Sequence, residues 1–203
     1  TASKGVGGLL ICSPRAAFGY EANESFRLAV VGMAGYGGYH SFASGIHLLD
    51  RVRYTHACDV DARKVAKVHA LWKQRAAEWV QDDDLGKRQA VQDHYAKLAA
   101  SPPPVFRDYR EMLDREGDKI DGVCVSTPDH SHAIIAAAAL RAGKPVFCEK
   151  PLAISAWQAR KLHALAREAR VPTQMNNQGG ATAAFRRGVE IIREGVLGEV
   201  RQV

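Results

Sequence analysis

The sequence has no cysteine pair at C-x-x-C spacing, no apolar run long enough to cross a bilayer, no basic stripe, no internal repeat and no low-complexity tract. Each absence removes a class of protein. The four cysteines, Cys12, Cys58, Cys124 and Cys148, are scattered, so zinc-ribbon and thioredoxin-like sites find no support. Three of them fall in apolar, strand-like runs, where buried free thiols are the expectation. A helical membrane span needs about 20 consecutive apolar residues, which argues against one here. The 28 Lys and Arg residues exceed the 22 Asp and Glu by six, but the two signs are interleaved. That pattern describes a solvated surface rather than a nucleic-acid footprint. With 203 residues, 46% hydrophobic and 25% charged, the chain has the composition of a globular protein. It is long enough for one full domain plus a tail or the start of a second.

Residues 1–25 stand apart. A lysine, the short apolar stretch Val6 to Cys12 and the small residues of "PRAAFG" have the look of the rear half of a secretory signal. "SKGVGGLLI" suits the Gly-rich middle of a twin-arginine signal, although no arginine pair is present. The alternative is an irregular N-terminal tail. The first reading places the protein in the periplasm or outside the cell, the second in the cytoplasm, and both exclude these residues from the fold.

From Phe26 onward, apolar runs alternate with helical periodicity. "FRLAVVG", "YTHACDVD", the "VF" after "SPPP", "IDGVCVSTP", "KPVFCEKP" and "PTQMNNQ" read as strands. Residues 62 to about 99 read as a long helical stretch, broken at Asp82–Gly86, with residues 70–100 an insertion in a connection. "DYREMLDREG", "HAIIAAAALRAG" and "SAWQARKLHALAREARV" read as helices; Gly143 sits where the second of these should end, and Ser155 is placed to cap the third. A further helix is expected over about Ala181–Glu194, with "GEVRQV" opening another strand. The alternation implies right-handed βαβ units: an α/β, doubly wound parallel sheet of the Rossmann type, with helices on both faces. The expected domains are a Rossmann domain over 26–178, and a link with the first strand of a second α/β domain over 179–203. This organisation reads as the front piece of a longer protein.

Chemistry concentrates at predicted strand ends. In "VVGMAGYGGYH", Gly32, Ala34 and Gly37 occupy the three positions of a G-x-G-x-x-G turn between strand and helix, where backbone N–H groups approach a pyrophosphate. Ala34 is a departure that neighbouring Gly35 offsets, and Gly38 belongs to the same candidate cofactor loop. Asp59, 22 residues beyond Gly37, ends the second strand. It is placed to accept both adenosine ribose hydroxyls and to repel a 2′-phosphate, which favours NAD; Arg63 and Lys64 keep NADP open. The competing role for Asp59 is a helix N-cap. The fourth strand ends in Ser126, Thr127 and Pro128. The following "DHSH" invites a metal, but Asp129 complements a helix dipole and His130 and His132 point in different directions, so no metal site is assigned. The fifth strand runs from Val146 to Cys148 and stops at Glu149-Lys150-Pro151. Charges at the end of a buried strand need a use. A partly buried Lys150 can donate a hydrogen bond to a substrate hydroxyl or alkoxide, Glu149 can orient it or touch the cofactor, and Pro151 can take a cis bond. The competing explanation is a surface ion pair.

Taken together, the glycine turn, "CDVD", "TPDHSH" and "EKP" resemble the Gfo/Idh/MocA oxidoreductases over about residues 26–203. The resemblance implies an NAD(P)-binding Rossmann domain followed by a substrate domain, with homo-oligomers formed through that second domain. By the same resemblance, Lys150 carries the catalytic or substrate-binding role. Thr127, Pro128, His132 and Glu149 border the nicotinamide half of the cofactor, and Ser126, Lys150, Pro151, Asn177 and Gln178 complete the expected cofactor-binding set. "TQMNNQGGA" is similar to the "TQMGNQGH" of a bacterial, often exported, branch, with Asn176 in place of Gly and Gly180 in place of His. The family's remaining catalytic His and Asp belong to the second domain. The implied function is NAD(P)-dependent hydride transfer on a sugar, cyclitol or related polyol. Two alternatives stay open: a glycosidase that oxidises its sugar transiently and recycles NAD, and a non-catalytic nucleotide-binding protein.

Overall fold

A computed structural model describes residues 25–35, 52–77, 85–199 and 201–202. Six strands are present among them: β1 (Phe26–Val31), β2 (Val52–Cys58), β3 (Val105–Phe106), β4 (Gly122–Val125), β5 (Val146–Glu149) and β6 (Thr173–Asn176). The helices are α1 (Ala62–Ala77), α2 (Leu85–Ala100), α3 (Tyr109–Glu116), α4 (Asp129–Arg141), α5 (Ala156–Ala169) and α6 (Ala183–Arg193). All strands are parallel, in the order β3-β2-β1-β4-β5-β6. The chain therefore winds one way from β1 to β3 and the other way from β4 to β6, as expected for a doubly wound Rossmann sheet. The switch of direction lies between β1 and β4.

Both faces of the central strands are buried, which is why they read as unbroken apolar runs. On one face Ala29, Val31, Val123, Val125 and Cys148 pack with Met112 of α3, Ile135, Ala136 and Leu140 of α4, and Leu162 of α5. Leu28, Val30 and Cys124 face the other way, with Tyr54 and Phe147 against them. Buried residues such as Ile135 and Leu140 each contribute about 1.5–3 kcal/mol by leaving water. The alanines of α4 let the helix lie close to the sheet. α4 ends in a Schellman turn: Gly143, at φ +68°, donates to the Leu140 carbonyl (2.9 Å) and Lys144 donates to that of Ala139 (2.9 Å). Ser155 caps α5, accepting from the Gln158 N–H at 3.3 Å.

The helical stretch after β2 forms two helices packed on each other and against β2 and the turn after β1. Val68 and Trp72 of α1 and Tyr95 and Leu98 of α2 enclose a core with Met33 and Ala57. Leu85 and Gly86 fall inside α2 rather than in the break. A first helical turn tolerates glycine because its N–H groups have no intrahelical partner anyway. The rest of the expected break, 82–84, lies outside the described residues. α6 begins at Ala183, after a 3-10 turn over Gln178–Ala181, not at Ala181. The strand expected in "GEVRQV" is not formed among its described residues, Gly198, Glu199, Arg201 and Gln202; a strand needs a hydrogen-bonding partner, and none is described beside it. Among the described residues, no helix is long and apolar enough to cross a membrane.

Candidate functional site

The carboxyl ends of β1, β2, β4 and β5 open onto one cleft of about 650 Å3. It spans the switch point, where the two halves of the sheet diverge and leave a crevice. Ten of the residues expected at a cofactor or catalytic site line it: Gly32, Ala34, Gly35, Asp59, Ser126, Thr127, Pro128, His132, Glu149 and Lys150.

The glycine turn is held on both sides of β1. Gly32 donates to the Cys58 carbonyl (2.8 Å), and Ser126 donates to that of Val31 (2.8 Å). Gly32 adopts φ +87°, and a Cβ there would lie 2.6 Å from the Ser126 carbonyl oxygen and 2.9 Å from the Thr127 nitrogen. The turn and the end of β4 therefore touch backbone to backbone. Gly35 has φ +60° but open space around it, so conformation rather than room demands glycine there. This close backbone cradle fits a dinucleotide pyrophosphate. Gly37 and Gly38 lie outside the described residues.

Asp59 sits immediately past β2. Its carboxylate accepts from the Met33 N–H (2.9 Å) and from the Asp61 N–H (2.9 Å). It thus ties the glycine turn to the end of β2 while lining the cleft. The cap of α1 is instead Asp61, which accepts from the Arg63 N–H (2.9 Å). That removes the competing N-cap role for Asp59. The Arg63 guanidinium grips Asp61 with two bonds of 3.0 Å, and these hold the Asp61 carboxyl down at about 2. Lys64 faces the cleft, joined by Arg107 and Tyr109 just past β3. Those last two were not among the residues expected from the sequence; the strand-end rule applied past the "VF" strand points to both.

At the far end, His132 of α4 is buried, 1% exposed, while His130 is exposed. The His132 ring lies between two carbonyl oxygens, with Nε2 2.6 Å from that of Thr127 and Nδ1 2.7 Å from that of Pro151. It links the loops after β4 and β5. The Ser131 hydroxyl is 2.7 Å from Thr127 Oγ1 and 2.8 Å from the Pro128 carbonyl. The Lys150–Pro151 peptide is cis. Pro151 and Asn177 do not line the cleft; Pro151 acts through its carbonyl, and the Gln178 side chain is outside the described set. Glu149 is buried, at 4% exposure, and accepts from Asn176 Nδ2 at 2.6 Å. Lys150 is exposed rather than partly buried. Glu149 is the last residue of β5, paired with Asn176 of β6, whereas Lys150 lies past the strand end at the cleft wall. Burial pushes the thiols of Cys58, Cys124 and Cys148 up to about 12, so they remain protonated and unreactive near neutrality. Among the described residues, no group of three or more His, Cys, Asp or Glu side chains is placed to hold a metal ion.

Residues 26–177 match the model of the Gfo/Idh/MocA oxidoreductase family, NAD-binding Rossmann fold. The chain belongs to this family. Among Gfo/Idh/MocA relatives, inositol 2-dehydrogenase 1 of Saccharopolyspora erythraea is 42% identical over 78 residues, 38% of this chain and 21% of that protein. The 1,5-anhydro-D-fructose reductase of Ensifer adhaerens is 43% identical over 79 residues, 39% of this chain and 24% of the reductase. The scyllo-inositol dehydrogenase of Lactobacillus casei, solved with NAD(H) and scyllo-inositol, superposes with a TM-score of 0.60 at 18% identity, covering 86% of this chain and 43% of that one. At that identity the likeness speaks for the fold. The chain spans less than half the length of each of these relatives.

Proposed function

We propose that the full-length protein is an NAD-dependent oxidoreductase that moves a hydride to or from a hydroxyl-bearing carbon of a sugar, cyclitol or related polyol. The observation that carries this reading is the single cleft joining a glycine cradle and Asp59 at one end to Glu149 and Lys150 at the other. The relatives named for inositol and anhydrofructose chemistry act on polyhydroxylated rings, which supports the substrate class. NAD, when bound, supplies the hydride acceptor. The chain's own residues do the rest. Gly32 and Gly35 let the backbone approach the pyrophosphate, and Asp59 accepts from ribose hydroxyls. Its charge, together with the engagement of Arg63 by Asp61, favours NAD over NADP. Lys150 donates a hydrogen bond to the substrate hydroxyl and stabilises the oxygen as its proton leaves.

Two measurements test this. Asp59→Ala should weaken NAD by about tenfold or more, the worth of hydrogen bonds to a charged group, and narrow the preference over NADP in calorimetric titration. Unchanged NAD affinity would remove Asp59 from the site. Lys150→Ala in the full-length protein should lower kcat by about 10²–10⁴-fold, followed as NADH formation across a panel of cyclitols and aldoses. Full activity in that variant overturns an enzymatic role for the cleft. From residues 1–25 and the "TQMNNQ" stretch we also propose that the protein is exported, and from the family resemblance that it assembles as a homo-oligomer through its second domain. Recovery of the protein solely from the cytoplasmic fraction refutes export, and a monomeric mass in solution refutes the oligomer.

A further inference from the structure

We propose that Asn176 is a positioning residue for the cofactor-binding wall of the cleft, its side-chain amide fixing the orientation in which the Glu149 carboxylate meets the cofactor. The inference rests on the cofactor reading above. Glu149 and Asn176 are the last register pair of β5 and β6, so the sheet itself sets their side chains next to each other at the ligand edge. The contact is short, with Asn176 Nδ2 2.6 Å from Glu149 Oε1. It is shielded too: Glu149 is 4% exposed and Asn176 half-buried. A carboxylate that is buried yet lines the cleft has few orientations available, and an amide donor on one oxygen selects among them. Asparagine suits this position because it donates without charge. An ionised aspartate there would face Glu149 at hydrogen-bond distance with like charge. Among the described residues, titratable groups near the pair include the thiols of Cys124 on β4 and Cys148 on β5, His132 of α4 on the same wall, and Lys150 beyond Glu149.

Asn176→Asp in the full-length protein separates positioning from bulk. A carboxyl pair at this distance shares one proton. While the proton is held, the introduced carboxyl donates to Glu149 as the amide does; once it is lost, the two carboxylates repel. NADH affinity, measured by fluorescence titration from about pH 5 to pH 9, should therefore approach that of the parent at the acid end. It should fall by about tenfold or more at the alkaline end, spanning the window in which coupled carboxylates titrate. A ratio of variant to parent affinity that stays constant with pH overturns the inference. Asn176→Gly removes the donor without adding charge, and should weaken NADH by a factor that does not vary with pH. Parent-like affinity in that variant also overturns the inference. Failure of the parent itself to bind NADH overturns the cofactor reading, and this one with it.

Discussion

Replacing Gly32 with alanine perturbs the closest backbone approach in the cleft. Two costs arise from separate causes. An alanine held at φ +87° carries about 1–3 kcal/mol of backbone strain. The added Cβ also meets the Ser126 carbonyl carbon at 2.7 Å and its oxygen at 2.6 Å. These are backbone atoms at the end of a buried strand, so they yield only if the loop after β4 shifts, which adds about 1–3 kcal/mol of overpacking. The sum, roughly 2–6 kcal/mol, is a large part of the roughly 5–15 kcal/mol that stabilises a typical domain. Gly35→Ala is the control. It keeps a positive φ of +60° but meets nothing within 4 Å, so it should cost only about 1–2 kcal/mol. Urea unfolding gives both values, and the difference between them isolates the contact with β4. NAD titration should show the larger loss in Gly32→Ala, because the shifted loop carries Thr127 and Pro128. If the two substitutions destabilise equally, the contact between the turn and β4 is not formed and the geometry of the cradle is wrong.

Trp72, fully buried between α1 and α2 and edge-on to Tyr54 at 6.0 Å, should lose about 3–5 kcal/mol on replacement by alanine; a loss below about 1 kcal/mol in urea unfolding would mean that the helical pair is appended rather than part of the core. At the amino edge of the sheet, Asp121 accepts from the Arg27 backbone (2.8 Å) and guanidinium (2.9 and 2.7 Å). Burial opposes its ionisation, but the Arg27 bonds outweigh it and hold the carboxyl below the usual aspartate range. Because the folded value is the lower one, this contribution is present above the unfolded value of about 3.9 and lost as pH falls through the folded one. Asp121→Asn should therefore cost about 1–2 kcal/mol at pH 7, discounted for solvent screening, with the gap to the parent closing below about pH 4; a gap independent of pH refutes the role of the charge. Arg170 ends α5 at φ 54°, so Arg170→Gly should raise stability by about 1 kcal/mol, read as an increase in Tm.

The sequence by itself determined the six strands, their parallel, doubly wound arrangement and the polarity of the site. Buried parallel strands must be apolar throughout, so their ends are visible wherever Gly32, Asp59, Ser126 and Glu149 interrupt the runs. The sheet rule then places those interruptions on a single edge. Local signals were equally direct at Gly143 and Ser155, where the requirement is confined to one turn. Only the tertiary structure decided the rest. Arg107 and Tyr109 reach the cleft because β3 pairs with β2, which brings the chain just past β3 to the same edge of the sheet. Lys150 and Glu149 are adjacent in sequence and equally charged in magnitude, yet one is exposed and the other buried, because Glu149 is the last residue of β5 and lies beside Asn176 of β6, while Lys150 lies past the strand end. The bond from Asn176 to Glu149 depends on the register between β5 and β6. Register is a relation between two strands distant in sequence, so no stretch of residues read alone contains it.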